Sequence, residues 1–174
     1  MTRIERPGQD EASAYLNTYI DRTTGEDLLR ALQAAAETTW DTVYRLPTGH
    51  GDHRYAEGKW SIKEVFQHVM DTERIFGYRA LCFARGETAE LPGFDENTYA
   101  VQADAGRREI HQLMREHDAL RNSTIELFRS FSPEMLLRAG TANGSRISVR
   151  ALGWAIVGHT EHHMRIINER YLPT

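Results

Sequence analysis

Cysteine is nearly absent. Cys82 is the one thiol in 174 residues, which excludes an internal disulfide and any zinc cluster built from cysteines. No apolar run approaches transmembrane length, and the opening stretch MTRIERPGQDEAS lacks the apolar core of a secretory signal. The expectation is therefore a cytoplasmic protein with no membrane partner. A basic excess is missing too: 21 Lys and Arg face 25 Asp and Glu, a net charge of -4, so a nucleic-acid partner is not expected. Internal repeats, low-complexity segments and domain linkers are also missing. What is there is an ordinary balance of 40% hydrophobic and 26% charged residues, enough for one domain over residues 1–174 with a single core. Against that plain background, eight histidines are many.

Residues 1–25 carry a short apolar patch, Tyr15, Leu16, Tyr19 and Ile20, and read as an N-terminal arm or short helix lying across the main body. From Glu26 to Leu46, Leu29, Leu32, Ala36, Thr39, Val43 and Leu46 recur at helical spacing until Pro47 and Gly49 end the pattern. Ser61 and Glu64 have the spacing of a capping box, so a second helix starts there and runs to Gly86. The connection ETAELPGFDENTYAVQADA shows neither helical nor strand period; its length lets the flanking helices run parallel. A third helix starts near Gly106 with Ile110, Leu113, His117, Leu120, Thr124, Leu127 and Phe131 on one seam. Pro133 opens a short extra turn, and Asn143-Gly144 has hairpin turn chemistry. The last helix begins around Ser148. The fold class is all-α, a four-helix bundle with long connections.

Histidine placement carries the chemistry. On the last helix Val149, Leu152, Ile156, His159, His163, Ile166 and Arg170 share one inward face, so His159 and His163 stand one turn apart above each other. His68, on the second helix, lies in a polar stripe with Val65, Thr72, Ile75 and Arg79 at the edge of the buried face. Three imidazoles from two facing helices can hold one divalent ion and leave positions open for water or substrate. The plainer alternative is a set of hydrogen-bonded core histidines. His162 is a rival partner for His159, and His117 is either a core histidine bonded to a neighbour or a further ligand. Asp71 and Glu64 either orient the His68 ring or face solvent. Glu161 falls two residues after His159, roughly 200° round the helix, and so faces away from such an ion. The zincin pattern is thereby excluded. No Glu stands three residues before His68, His159 or His163, which excludes a di-iron bundle and leaves a mononuclear site.

The stretches WSIKEVFQHVMDTERIFGYRAL, ARGETAELPGFDENTY and TANGSRISVRALGWAIVGHTEHHMRII together resemble the DinB-like superfamily, in particular its YfiT-like branch of metal-dependent hydrolases. The resemblance implies an up-down-down-up bundle and assigns His68, His159 and His163 as metal ligands, with nickel, zinc, iron or manganese bound. It further implies hydrolysis of a small-molecule substrate, or S-transfer using a low-molecular-weight thiol such as bacillithiol or mycothiol, in a homodimer. Pocket residues are expected from the Leu91–Tyr99 loop, with Asp95 and Tyr99 as polar contacts, and from Trp60, which could equally be core packing. Arg79 either pairs with an acidic neighbour or receives an anionic substrate group. A non-enzymatic metal- or ligand-binding stress protein is the alternative; an occupied site with no open position would support it.

Overall fold

The computed structural model describes residues 3–172. It contains helices α1 (Ala14–Ile20), α2 (Leu28–Tyr44), α3 (Ile62–Ala84), α4 (Glu96–Ala103), α5 (Ile110–Arg129), α6 (Pro133–Leu137) and α7 (Val149–Arg170), with a hairpin β1 (Ala139–Ala142) and β2 (Ser145–Ser148). Helix starts follow local chemistry. Asp27, Ser61 and Ser148 cap α2, α3 and α7, each taking up an otherwise free backbone N–H. In α3 the box is reciprocal: Ser61 Oγ accepts from the Glu64 N–H at 3.2 Å, and the Glu64 carboxylate accepts from the Ser61 N–H at 2.6 Å.

The long helices α2, α3, α5 and α7 form the bundle. Contacts give its direction. Pairings rise together between α3 and α5, from Gln67–Arg108 to Glu73–Arg121, so these two run parallel. Trp40 meets Asp118 while Leu32 meets Arg121, so α2 and α5 run antiparallel. Trp60, ahead of α3, meets Tyr171 beyond α7 while His68 meets His159, which makes α3 and α7 antiparallel. The topology is up-down-down-up, and α3 packs most extensively on α7.

Two expectations change. The connection after Gly86 is not without structure: α4 lies within it, and Leu91 pairs with Ala142 alongside the hairpin. Ala100 is the only buried residue of α4, so the helix has no apolar stripe to betray it. On α5, the buried residues are Leu113, Met114, His117, Arg121, Thr124, Ile125 and Phe128. The seam therefore runs from His117 to Arg121, one residue off the expected Leu120, because a charged residue was not counted as inward-facing.

Arg121 is that charged residue. It is 2% exposed and bonds Glu73, 1% exposed, through Nε at 3.0 Å and Nη2 at 2.9 Å. It also donates to the Leu32 carbonyl at 2.7 Å and to Thr160 Oγ1 at 3.1 Å. One guanidinium thus ties α2, α3, α5 and α7 at one level. At the other extreme, the N-terminal segment is held by Glu11, whose carboxylate accepts from Arg150 Nε at 2.8 Å, Ser148 Oγ at 2.7 Å and, through its other oxygen, the Gly8 N–H at 2.8 Å. Burial alone would raise the Glu11 pKa. The bonds to Arg150, Gly8 and Ser148 outweigh it and hold the group down at about 2.

Removing one partner of the buried pair leaves a desolvated charge alone. Glu73→Ala is expected to cost about 3–5 kcal/mol, while Glu73→Met with Arg121→Leu costs much less; urea unfolding checks both, and a cost below about 1 kcal/mol for the single change would refute the assignment. For Glu11 the folded pKa lies below its usual 4.5, so its contribution is complete above that value and fades as pH falls towards about 2. The stability difference between the protein and Glu11→Gln should shrink across that window when followed by thermal unfolding against pH.

Candidate metal centre

His159 and His163 share a face of α7 because they are four residues apart, and His68 faces them from the antiparallel α3. The three side chains meet at their Nε2 atoms: His68 to His159 is 3.0 Å and His163 to His159 is 3.1 Å. Nitrogens bound at about 2.0–2.1 Å to one ion sit roughly 3 Å from one another, so the spacing fits a shared cation. The donor set fits as well. His159 Nε2 faces two other ring nitrogens but has a single proton or a single lone pair to offer, so it cannot make a full hydrogen bond to both, whereas a cation shared by the three satisfies every ring.

Burial keeps them neutral. It pushes His68 down to about 4 and, helped by the charge of His68, His163 to about 3; His159 is driven well below its ordinary value by burial and by His163. Neutral rings are the form that coordinates metal. No other cluster of three or more potential ligands occurs among the described residues.

The cluster opens on a cavity of about 490 Å³. Its walls come from α3 (His68, Thr72, Phe76, Arg79), from Ser13, Tyr15, Leu16 and Tyr19 at the N-terminus, from Phe94 and Glu96, and from the hairpin turn. The Tyr19 ring stands edge-on to His159, 5.7 Å between centroids. That approach needs Gly158: a Cβ there would lie 2.4 Å from the Tyr19 carbonyl oxygen.

Trp60 does both things expected of it, lining the cavity and packing 4.7 Å from the His68 ring, while its carbonyl accepts from Tyr171 Oη. His162 stays off the cluster and contacts Tyr19 and Arg165. Glu161 also stays outside; burial raises its pKa.

Other expected residues fall elsewhere. Asp71 accepts from Gln67 and lies near Arg74, and Glu64 is taken by Arg54 and the α3 cap, so neither bonds the His68 ring. Asp95 turns back to cap α4 by accepting from the Thr98 N–H at 2.7 Å. Tyr99 stacks on Phe94 and lines a different depression, with Gln67 and Asp71. His117 is 2% exposed, and neither ring nitrogen has a hydrogen-bond partner among the described residues; Asp118 is 3.6 Å away. It stands outside the cluster of His68, His159 and His163, and the nearby Glu73 carboxylate is bonded to Arg121. Burial, then the charge of Arg121, lowers its pKa.

Glu96 was not singled out, although it lies inside the loop named for the mouth. Its position depends on Asp95 being the cap rather than the contact, which only the start of α4 decides. Tyr15 and Tyr19 were visible as a patch, but not as a wall of the site.

Comparisons with known proteins agree with this picture. Residues 26–167 match the family model described as the DinB superfamily. A curated protein of Oceanobacillus iheyensis named "Putative metal-dependent hydrolase" is 23% identical over 149 residues, covering 83% of this chain and 85% of its own. Among solved structures, Bacillus subtilis YfiT, described as a probable metal-dependent hydrolase with an unusual four-helix bundle topology, superposes with a TM-score of 0.71 at 18% identity. That match covers 95% of this chain and 91% of YfiT. A DinB-like protein of Bacillus subtilis gives a TM-score of 0.55 at 18% identity, over 84% of this chain and 95% of its own. At these identities the superpositions speak for the fold.

Metal analysis of purified protein should find about one divalent ion per chain, and near-complete loss in each of His68→Ala, His159→Ala and His163→Ala, with His162→Ala unaffected. Undiminished metal in the three variants would remove the centre.

Proposed function

The chain belongs to the DinB superfamily, and on that premise we propose that it is an enzyme that hydrolyses a small molecule with one divalent ion held by His68, His159 and His163. One observation carries this: three neutral imidazoles converge on a point that faces a cavity, as a working site does and a closed structural site does not. A divalent ion bound there supplies Lewis acidity and makes a water-derived nucleophile available near neutral pH. Zinc, nickel and iron suit three imidazoles about equally well. The names of the Oceanobacillus and Bacillus relatives support hydrolysis over thiol-dependent transfer.

The remaining chemistry falls to this chain's own residues. Glu161 is turned away, and Glu96 supplies the base in its place. Glu96 lines the same cavity as His68, His159 and His163. From there Glu96 takes a proton from the attacking water and returns it to the leaving group. Tyr19 has its pKa pushed up, first by burial and then by its bond to Tyr15, so its hydroxyl remains a donor to charge developing on the substrate. Trp60 and Tyr19 screen the rings from bulk water. A closed site would support a non-enzymatic role, and the cavity beside the histidines speaks against a closed site.

Screening activated esters, amides and lactones, each with and without a low-molecular-weight thiol, tests this reading. Hydrolysis without thiol is expected, with Glu96→Gln lowering kcat about 10²–10⁴-fold at unchanged metal content. Turnover that consumes the thiol stoichiometrically would replace hydrolysis by transfer.

A further inference from the structure

The α3 stripe that begins at His68 continues along the same cavity through Thr72 and Phe76 to Arg79. Two of these residues carry polar groups that the protein leaves unused. Arg79 is 8% exposed, and among the described residues no carboxylate stands within ion-pair distance of it. Its one hydrogen bond runs from Nη2 to the Pro92 carbonyl at 2.8 Å, so most of its five N–H donors are free. Burial lowers its pKa with no acidic group opposing the shift. A desolvated cation without a counter-charge is costly, and a bound anion would offset that cost.

Thr72 is the second. It is 3% exposed and its hydroxyl has no partner. Elsewhere in the helices Thr38, Thr39, Thr42 and Thr160 give their hydroxyls to the carbonyl one turn back. Thr72 makes no such bond and lines the cavity instead. The Arg79 guanidinium lies over the Phe76 ring, 5.7 Å from its centroid, on the same cavity wall as Thr72. His68 and Phe76 are two turns apart, roughly 12 Å at the helical rise. Leu16, Phe76 and Phe94 give the same cavity an apolar surface. Glu96 lines the same cavity, which therefore carries one acidic group as well as Arg79.

We propose that Arg79 and Thr72 form an anion subsite that holds the carboxylate of a substrate whose body is otherwise apolar, presenting its reactive group to the histidines. Calling the ligand a substrate rests on the hydrolase reading; the subsite itself does not. Charge-assisted bonds from Arg79 fix one end, and the Thr72 hydroxyl adds a donor.

Calorimetric titration with 4-phenylbutyrate and with its neutral amide tests it. The acid is expected to bind the native protein, and the amide about tenfold more weakly or worse. Arg79→Gln should weaken the acid by a similar factor, Arg79→Lys should restore part of it, and Thr72→Val should cost severalfold. Circular dichroism checks that each variant is folded. Metal-free His159→Ala should bind the acid within about threefold of the native protein, so a failure of the metal reading leaves this result standing. The proposal is overturned if the native protein does not bind the acid at millimolar concentration. It is equally overturned if Arg79→Gln binds the acid unchanged, or if binding disappears in His159→Ala while surviving in Arg79→Gln, which would place the carboxylate on the metal.

Discussion

A single guanidinium sets the geometry of this bundle. Arg121 reaches Glu73, the Leu32 carbonyl and Thr160, and so holds α2, α3, α5 and α7 at a common depth. Hydrophobic contacts alone would let helices slide by fractions of a turn, since apolar packing is not directional. A buried ion pair with satisfied donors does not tolerate such slippage, because a misplaced partner leaves a bare charge. The constraint bears directly on the site. Thr160 is the neighbour of His159, and Glu73 lies little more than a turn beyond His68, so the interaction that registers the helices also registers the imidazoles.

The centre combines two environments that are usually separate. Behind the rings the packing is dense and dry, which keeps the imidazoles neutral. In front of them is open space, walled by groups from opposite ends of the chain. That division is what a reactive centre requires: a fixed back to position ligands and a free face for the reactants.

Much of this was legible in the residues, and the failures share a cause. Periodicity placed His159 and His163 one above the other on α7, where both meet His68, but the same seam expected Ile166 and Arg170 inward and the structure buries Met164 and Ile167 instead. The same method slipped by one residue on α5, where the inward face contains His117 and Arg121 and polarity no longer marks exposure. α4 escaped because it buries almost nothing. At the mouth, the right loop was named and the wrong residues within it: Asp95 serves the backbone as a cap, leaving Glu96 on the cavity wall. Asp71 and Glu64 are acidic and near His68 in the chain, yet Gln67, Arg54 and the Ser61 N–H claim their oxygens. Sequence proximity cannot rank competing hydrogen-bond partners.

The contact of Tyr19 with His159 spans most of the chain, and Gly158 is what lets the two segments close. During synthesis the first of these segments leaves the ribosome long before the second exists. The N-terminal wall therefore has nothing to dock on until α7 has formed, and its long loop closure makes it a late step in folding. A nascent chain could assemble α2, α3 and α5 around the Glu73–Arg121 pair while the histidine face is still unroofed. His68 waits for its partners, since His159 and His163 both stand on α7, so the histidine cluster and its N-terminal wall are completed together.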